Sequence, residues 1–215
     1  MSKHVHIVGL YAKDLEGTTQ EDLKATGDVW TCNDWYWFYP WMTKPDSVFN
    51  IHFAPHVHIS DMTRFPGAWM TRYNEVIQRG GRIVVVDQIK GVNPDGQVFL
   101  PPDLVKVFSM DSCLCSISAM ILMAAYEGYE QITLHGVRLT DDEYRSQVLP
   151  IERAIVWATG KGCVVNNPYT DEWDKRSEII SWENDATIDC GSMPHLVRYF
   201  KPELVDLDNL EITTG

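Results

Sequence analysis

The chain has 215 residues, 45% hydrophobic and 22% charged, which suits one globular domain with a modest appendage and excludes a disordered or collagen-like chain. Eighteen basic side chains against thirty acidic ones give a net charge of −12, which excludes the basic face that duplex nucleic acid needs. An anionic small molecule is still admissible, because a few local donors suffice to hold it.

In chain order, His4–Leu10 alternates as a first strand and meets a turn at Gly9. Thr18 and Glu21 have capping-box spacing and open a short helix ending near Gly27. Asp28–Asn33 and Ser47–Phe53 read as strands, and Ala68–Arg79 as a helix stopped by Gly80 and Gly81. Arg82–Asp87 carries Ile-Val-Val-Val, the pattern of a strand buried on both faces. Asn93–Gly96 is a turn, and Pro101-Pro102 punctuates a loop. The strongest helix runs from about Ser112 to Tyr126 and closes at Gly128. Gln131–His135 is a strand followed by Gly136, Leu149–Thr159 a helix with Pro150 in its first turn, and Cys163–Asn166 a sixth strand.

Strands alternating with helices predict an α/β three-layer sandwich around a mostly parallel sheet of about six strands. The domain is expected over residues 1–168, with 169–215 packed on it as an acidic extension. Residues 170–215 hold eleven acids and four bases, so −7 of the −12 lies there. No apolar run approaches the roughly 18–20 residues that cross a bilayer, and the first residues lack a signal-peptide pattern. The expectation is a cytoplasmic protein with no membrane partner.

Doubly wound sheets bind ligands beyond the carboxyl ends of their strands. That directs attention to Gly9–Lys13, Asn33–Trp37, His52–His58, Asp87–Lys90, Gly136–Tyr144 and Asn166–Tyr169. Asn33 and Asp34 offer a donor and acceptors at a strand end, inside a segment with four tryptophans between Trp30 and Trp41. Those aromatics suit stacking on a base, packing in the core, or contact with a second copy of the chain. Ser112 and Ser116, with Ser118, lie where helix N–H groups and hydroxyls could hold a phosphate; the alternative, N-capping by Asp111 or Ser112, explains one serine but not three. After Gly136, Arg138 could grip a phosphate and Tyr144 close over a base or sugar.

His52, His56 and His58 form the tightest set of metal-capable side chains, as in a metal-dependent hydrolase, but no HExxH or distant paired acid accompanies them. Surface histidines are the simpler reading, and no metal or cofactor is expected to be required. The five cysteines contain no CxxC pair and read as free thiols. No GxGxxG, P-loop or GxSxG element is present.

Three segments together resemble the bacterial lipooligosaccharide sialyltransferases: Asp28–Asn33, the run from Ser116 through Met120 to Gly128-Tyr129, and Gln131–Val137. That family shares a Rossmann-like fold with MptE-like pterin pyrophosphokinases. Small tailed-phage proteins are similar too, including a Glu-Tyr-x-x-Gln element, here Glu143 to Gln147. The resemblance covers about residues 4–168 and implies a nucleotide or nucleotide-sugar ligand, of cytidine type, around Gly9, Asn33 and Ser116, with Tyr144 near its phosphate. It implies a phage-type, glycosyltransferase-like protein that forms homo-oligomers. Three departures stand out. The glycine-rich turn after the first strand is Leu10-Tyr11-Ala12-Lys13, Arg138 replaces the usual acid, and no histidine lies between Gly136 and Pro168. The last departure favours a non-catalytic binder, such as one sequestering a nucleotide signal, over sugar transfer.

Overall fold

Val5 and Ile7 alternate with His6 and Val8, and this alternation commits the first strand, β1 (His4–Val8), to apolar cover on both faces. The same holds for β2 (Asp28–Cys32), β3 (Ser47–Asn50) and β4 (Arg82–Val85), which are almost wholly buried. They join β5 (Gln97–Phe99), β6 (Gln131–His135) and β7 (Val164–Asn166) in a seven-stranded sheet of order β5-β4-β3-β2-β1-β6-β7. Every pairing in it is parallel. The computed structural model describes residues 2–33, 35–51, 68–86, 88–107, 115–139 and 147–170.

One face of the sheet, carrying Val5, Ile7, Trp30, Phe49, Val84, Ile132 and Leu134, packs against α5 (Ser116–Tyr126) and α6 (Val148–Gly160). Leu104 of α4 (Pro102–Val107) joins that core. The other face, with Val8, Val29, Val48, Ile83 and Val85, is covered by α1 (Gln20–Lys24), α2 (Trp35–Phe38) and α3 (Ala68–Gln78). This is a Rossmann-like three-layer α/β sandwich. The expected six strands become seven because β5 has only three residues, too few to show a period between Gly96 and Pro101. Pro102 opens α4 where the sequence reads as loop, since a helix's first N–H needs no partner.

Two caps also differ from expectation. Thr19, not Thr18, caps α1, exchanging hydrogen bonds with Asp22 at 3.2 and 2.8 Å. The shift by one residue buries Gln20, whose side chain pairs with both backbone groups of Lys44. In α5 the cap is Cys115, whose sulfur accepts from the Ser118 N–H, while the Ser118 hydroxyl donates to the Cys115 carbonyl. Asp111 and Ser112 lie outside the described residues.

Against the α1 side of β1 and β6 runs a row of histidines. The Thr26 hydroxyl donates to Leu23 O (3.1 Å), so it accepts from His6 Nε2 at 2.8 Å. His6 Nδ1 is then the bare nitrogen that accepts from His135 Nε2 at 3.0 Å. This network requires a neutral His6, which is 6% exposed. Burial, with His4 and His135 adding repulsion, lowers its pKa from 6.5 to about 4.

The unfolded chain therefore binds a proton at His6 between pH 6.5 and 4 that the folded chain refuses. Stability from this residue is complete above pH 6.5 and is lost as pH falls towards 4. At 1.36 kcal/mol per unit this amounts to about 3 kcal/mol. Urea unfolding across that range should show His6→Leu losing less stability on acidification than the wild type, by roughly that amount.

Candidate functional site

β1 lies inside the sheet, with β2 to β5 filed on one side and β6 and β7 on the other, so the winding reverses between β1 and β6. Past the ends of β1 and β6 the two segments stay joined: Gly9 N donates to His135 O at 2.8 Å and Tyr11 N to Gly136 O at 3.1 Å. A Cβ on Gly9 would lie 2.4 Å from the Gly136 carbonyl oxygen, and Gly136 itself has φ +62°. Both glycines are thus required by backbone contact and conformation.

Asn33, the residue after β2, has φ +47° and is the only described non-glycine residue in the left-handed region. Asparagine is among the few residues that tolerate it. The backbone is held there from two sides: Asn33 N donates to Phe49 O (3.0 Å), and the Tyr73 hydroxyl donates to Asn33 O (3.3 Å). Tyr73, fully buried in α3, is itself met by Asn50 Nδ2 at 2.9 Å. The Asn33 side chain points to the start of α5, where the Ser116 hydroxyl donates to its Oδ1 at 3.4 Å. Two candidates separated by 83 positions therefore meet beyond the carboxyl ends of the strands, at a helix N-terminus that favours negative charge.

A second polar cluster surrounds Gly136. Arg138 Nε donates to Asp14 Oδ1 (2.8 Å), and the Tyr169 hydroxyl donates to Asp14 Oδ2 (2.7 Å) while accepting from Gly136 N (2.6 Å). Burial, then the neighbouring Asp14 carboxylate, pushes the Tyr169 hydroxyl above its ordinary pKa, so it stays protonated. The Tyr39 hydroxyl also meets Gly136, lying 2.8 Å from where a Cβ would stand. Tyr39 is 1% exposed, and its hydroxyl has no hydrogen-bond partner among the described residues. Burying a hydroxyl in that state costs about 1–3 kcal/mol. Of this cluster, Arg138 and Gly136 were singled out from the sequence and Tyr169 falls in a strand-end stretch. Asp14 and Tyr39 lie one or two residues beyond such stretches and carry no local signal.

Asp34, Ser112, Tyr144, His52, His56 and His58 fall outside the described residues, so their placement has no bearing here. Of the tryptophans, Trp30 and Trp35 are core, the latter stacked on Tyr73 with its Nε1 donating to Met42 O. Trp41, Phe38 and Tyr11 are exposed by 36%, 45% and 37% on the segments after β1 and β2. A cavity of about 290 Å³ lies at the opposite, amino end of the sheet, between Lys3, Trp30, Arg82 and Glu127. Its charges satisfy one another: Arg82 forks onto Glu127 at 2.6 and 2.7 Å and also donates to Ser47. The carboxyl end, with its helix start and unspent hydroxyl, is the better candidate.

No protein-family model and no curated protein matches this chain. Among solved structures, the sialyltransferase CstII from Campylobacter jejuni in complex with cytidine-5'-monophosphate is 16% identical, covering 73% of this chain and 76% of that one with a TM-score of 0.43. The same enzyme with CMP-3FNeuAc is 14% identical over 76% and 78%, TM-score 0.48. An alpha-2,3-sialyltransferase from Campylobacter jejuni in apo form is 14% identical over 76% and 74%, also at 0.48.

The contact between the first and sixth strands' loops gives a direct test. Gly9→Ala drives a methyl into a backbone carbonyl that no side-chain rotation can move aside. Thermal and urea unfolding should show a loss of about 2–3 kcal/mol. Gly17→Ala, with φ +80° but nothing within 4 Å, should cost less.

Proposed function

We propose that this protein binds a nucleotide or nucleotide-sugar beyond the carboxyl ends of β1, β2 and β6, with Asn33 and Ser116 as ligand contacts. One observation carries the reading: a strand-end asparagine in the left-handed conformation, braced by Phe49 and Tyr73, is aimed at the first hydroxyl of α5. Such a conformation persists where surrounding structure imposes it, and it turns a side chain with both donor and acceptor toward a ligand. The amide can read a base or ribose edge, while the helix start favours an anionic group. The cytidine preference rests on the sequence resemblance alone.

A glycosyl transfer at this site would require a base to take the acceptor hydroxyl's proton as the nucleotide leaves. A binder that sequesters a nucleotide requires none. The two are separated by incubating the protein with CMP-sialic acid and a galactoside acceptor and following both by NMR against a protein-free control: a sialylated acceptor formed along with free CMP supports transfer, and bound, unconsumed ligand supports sequestration.

Binding itself is checked by calorimetry with CMP, UMP, AMP and GMP. At least one should bind, and Asn33→Ala and Ser116→Ala should each weaken it by about 1–3 kcal/mol. Absence of binding by all four and by CMP-sialic acid would end this reading.

The exposed Tyr11, Phe38 and Trp41 support self-association as part of the same proposal. Salt near 0.15 M screens the net negative charge beyond about 8 Å, leaving apolar contact to act at short range. Light scattering at micromolar concentration should give a multiple of the chain mass. The mass of one chain at every salt concentration would count against it.

A further inference from the structure

We propose that the Asp14 carboxylate occupies an anion site at the winding reversal and gives way there to a phosphate or pyrophosphate group. The inference rests on the nucleotide reading above and adds to it the place of the phosphate and an internal competitor.

The donors are already assembled. Arg138 Nε reaches one oxygen of Asp14 at 2.8 Å and the Tyr169 hydroxyl the other at 2.7 Å. Gly136 N–H fixes the Tyr169 hydroxyl from behind at 2.6 Å. Both carboxylate oxygens are thereby used, and the Tyr39 hydroxyl beside Gly136 is left buried and without a partner among the described residues. The Tyr169 hydroxyl meets the N–H of Gly136 and the Tyr39 hydroxyl stands against its Cα, so the two hydroxyls share one locus.

A carboxylate offers two oxygens. A terminal phosphate, as in a nucleoside monophosphate or pyrophosphate, offers three non-bridging oxygens arranged tetrahedrally and can accept from Arg138, Tyr169 and Tyr39 together. The exchange therefore satisfies a hydroxyl that Asp14 leaves unsatisfied. Access exists as well, since the Arg138 side chain is 36% exposed while that of Asp14 is 13% exposed. Asp14 sits on the short 3-10 turn Ala12–Leu15, outside the strands of the sheet.

Inorganic pyrophosphate is the probe, titrated by calorimetry into the wild type, Asp14→Asn and Asp14→Asn/Arg138→Met. Asp14→Asn keeps the shape and removes the competing charge, so it should bind pyrophosphate at least tenfold more tightly than the wild type. The double variant should lose that gain. Equal affinity in wild type and Asp14→Asn, or a gain that survives loss of Arg138, overturns the proposal. In the unaltered protein, the Arg138 Nε–H NMR signal should move on saturation with pyrophosphate. A signal that stays in place overturns it even if Asp14→Asn does not fold. Nucleotide binding to the wild type without a pyrophosphate gain in Asp14→Asn leaves the nucleotide site standing and removes the exchange. A pyrophosphate gain in a protein that binds no nucleotide does the reverse.

Discussion

The close approach of two backbones, Gly9 against Gly136, is the constraint on which the rest of the carboxyl end depends. In an open parallel sheet the loops at the reversal of winding ordinarily separate and leave a crevice between them. Here the β1–β6 pairing continues past the strands through Gly9 N to His135 O and Tyr11 N to Gly136 O. A side chain at either glycine would collide with backbone or with the Tyr39 hydroxyl. Because this seam is closed, polar groups gather around it: Asp14 and Tyr11 from the β1 side, Tyr39 from the β2 side, and Arg138 and Tyr169 from the segments after β6 and β7.

That geometry separates two electrostatic regimes within a short distance. Under the sheet, His6 and His135 are held neutral by burial, and their shared hydrogen bond needs one bare nitrogen. Above it, Asp14 accepts from Arg138 and Tyr169, and burial keeps Tyr39 and Tyr169 protonated. The Asp14–Arg138 pair stands beside the ion pairs Lys24–Asp46, Arg72–Glu75 and Arg82–Glu127. Exposed pairs of this kind add little stability. The meaning of Asp14–Arg138 lies in its position, since it fills donors at the place where a doubly wound sheet receives its ligand.

Asn33 shows how the core reaches into the site. Its left-handed backbone is imposed by Phe49 of β3 and Tyr73 of α3, and Tyr73 is part of the apolar layer that includes Trp35. The aromatic density after β2 therefore serves two purposes that its sequence cannot separate. Trp30 and Trp35 fill the two cores, whereas Phe38 and Trp41 stay at the surface.

The sequence by itself determined the layered α/β class, because near-continuous apolar strands alternating with helices can be satisfied only by a parallel sheet covered on both faces. It also marked Gly9, Asn33, Ser116 and Gly136 as strand-end or helix-start positions, since those carry local turn and cap chemistry. It pointed to the capping box of Thr18 with Glu21, whereas the structure forms that of Thr19 with Asp22. That choice falls to the burial of Gln20 against Lys44, which is a long-range contact. Nor did it show β5, whose three residues acquire their conformation only by pairing with β4. Asp14 meets Arg138 across 124 positions and Tyr169 across 155, and no local pattern encodes such a meeting. Tertiary structure alone decided it, because strand order, not chain order, sets which loops share the end of a sheet.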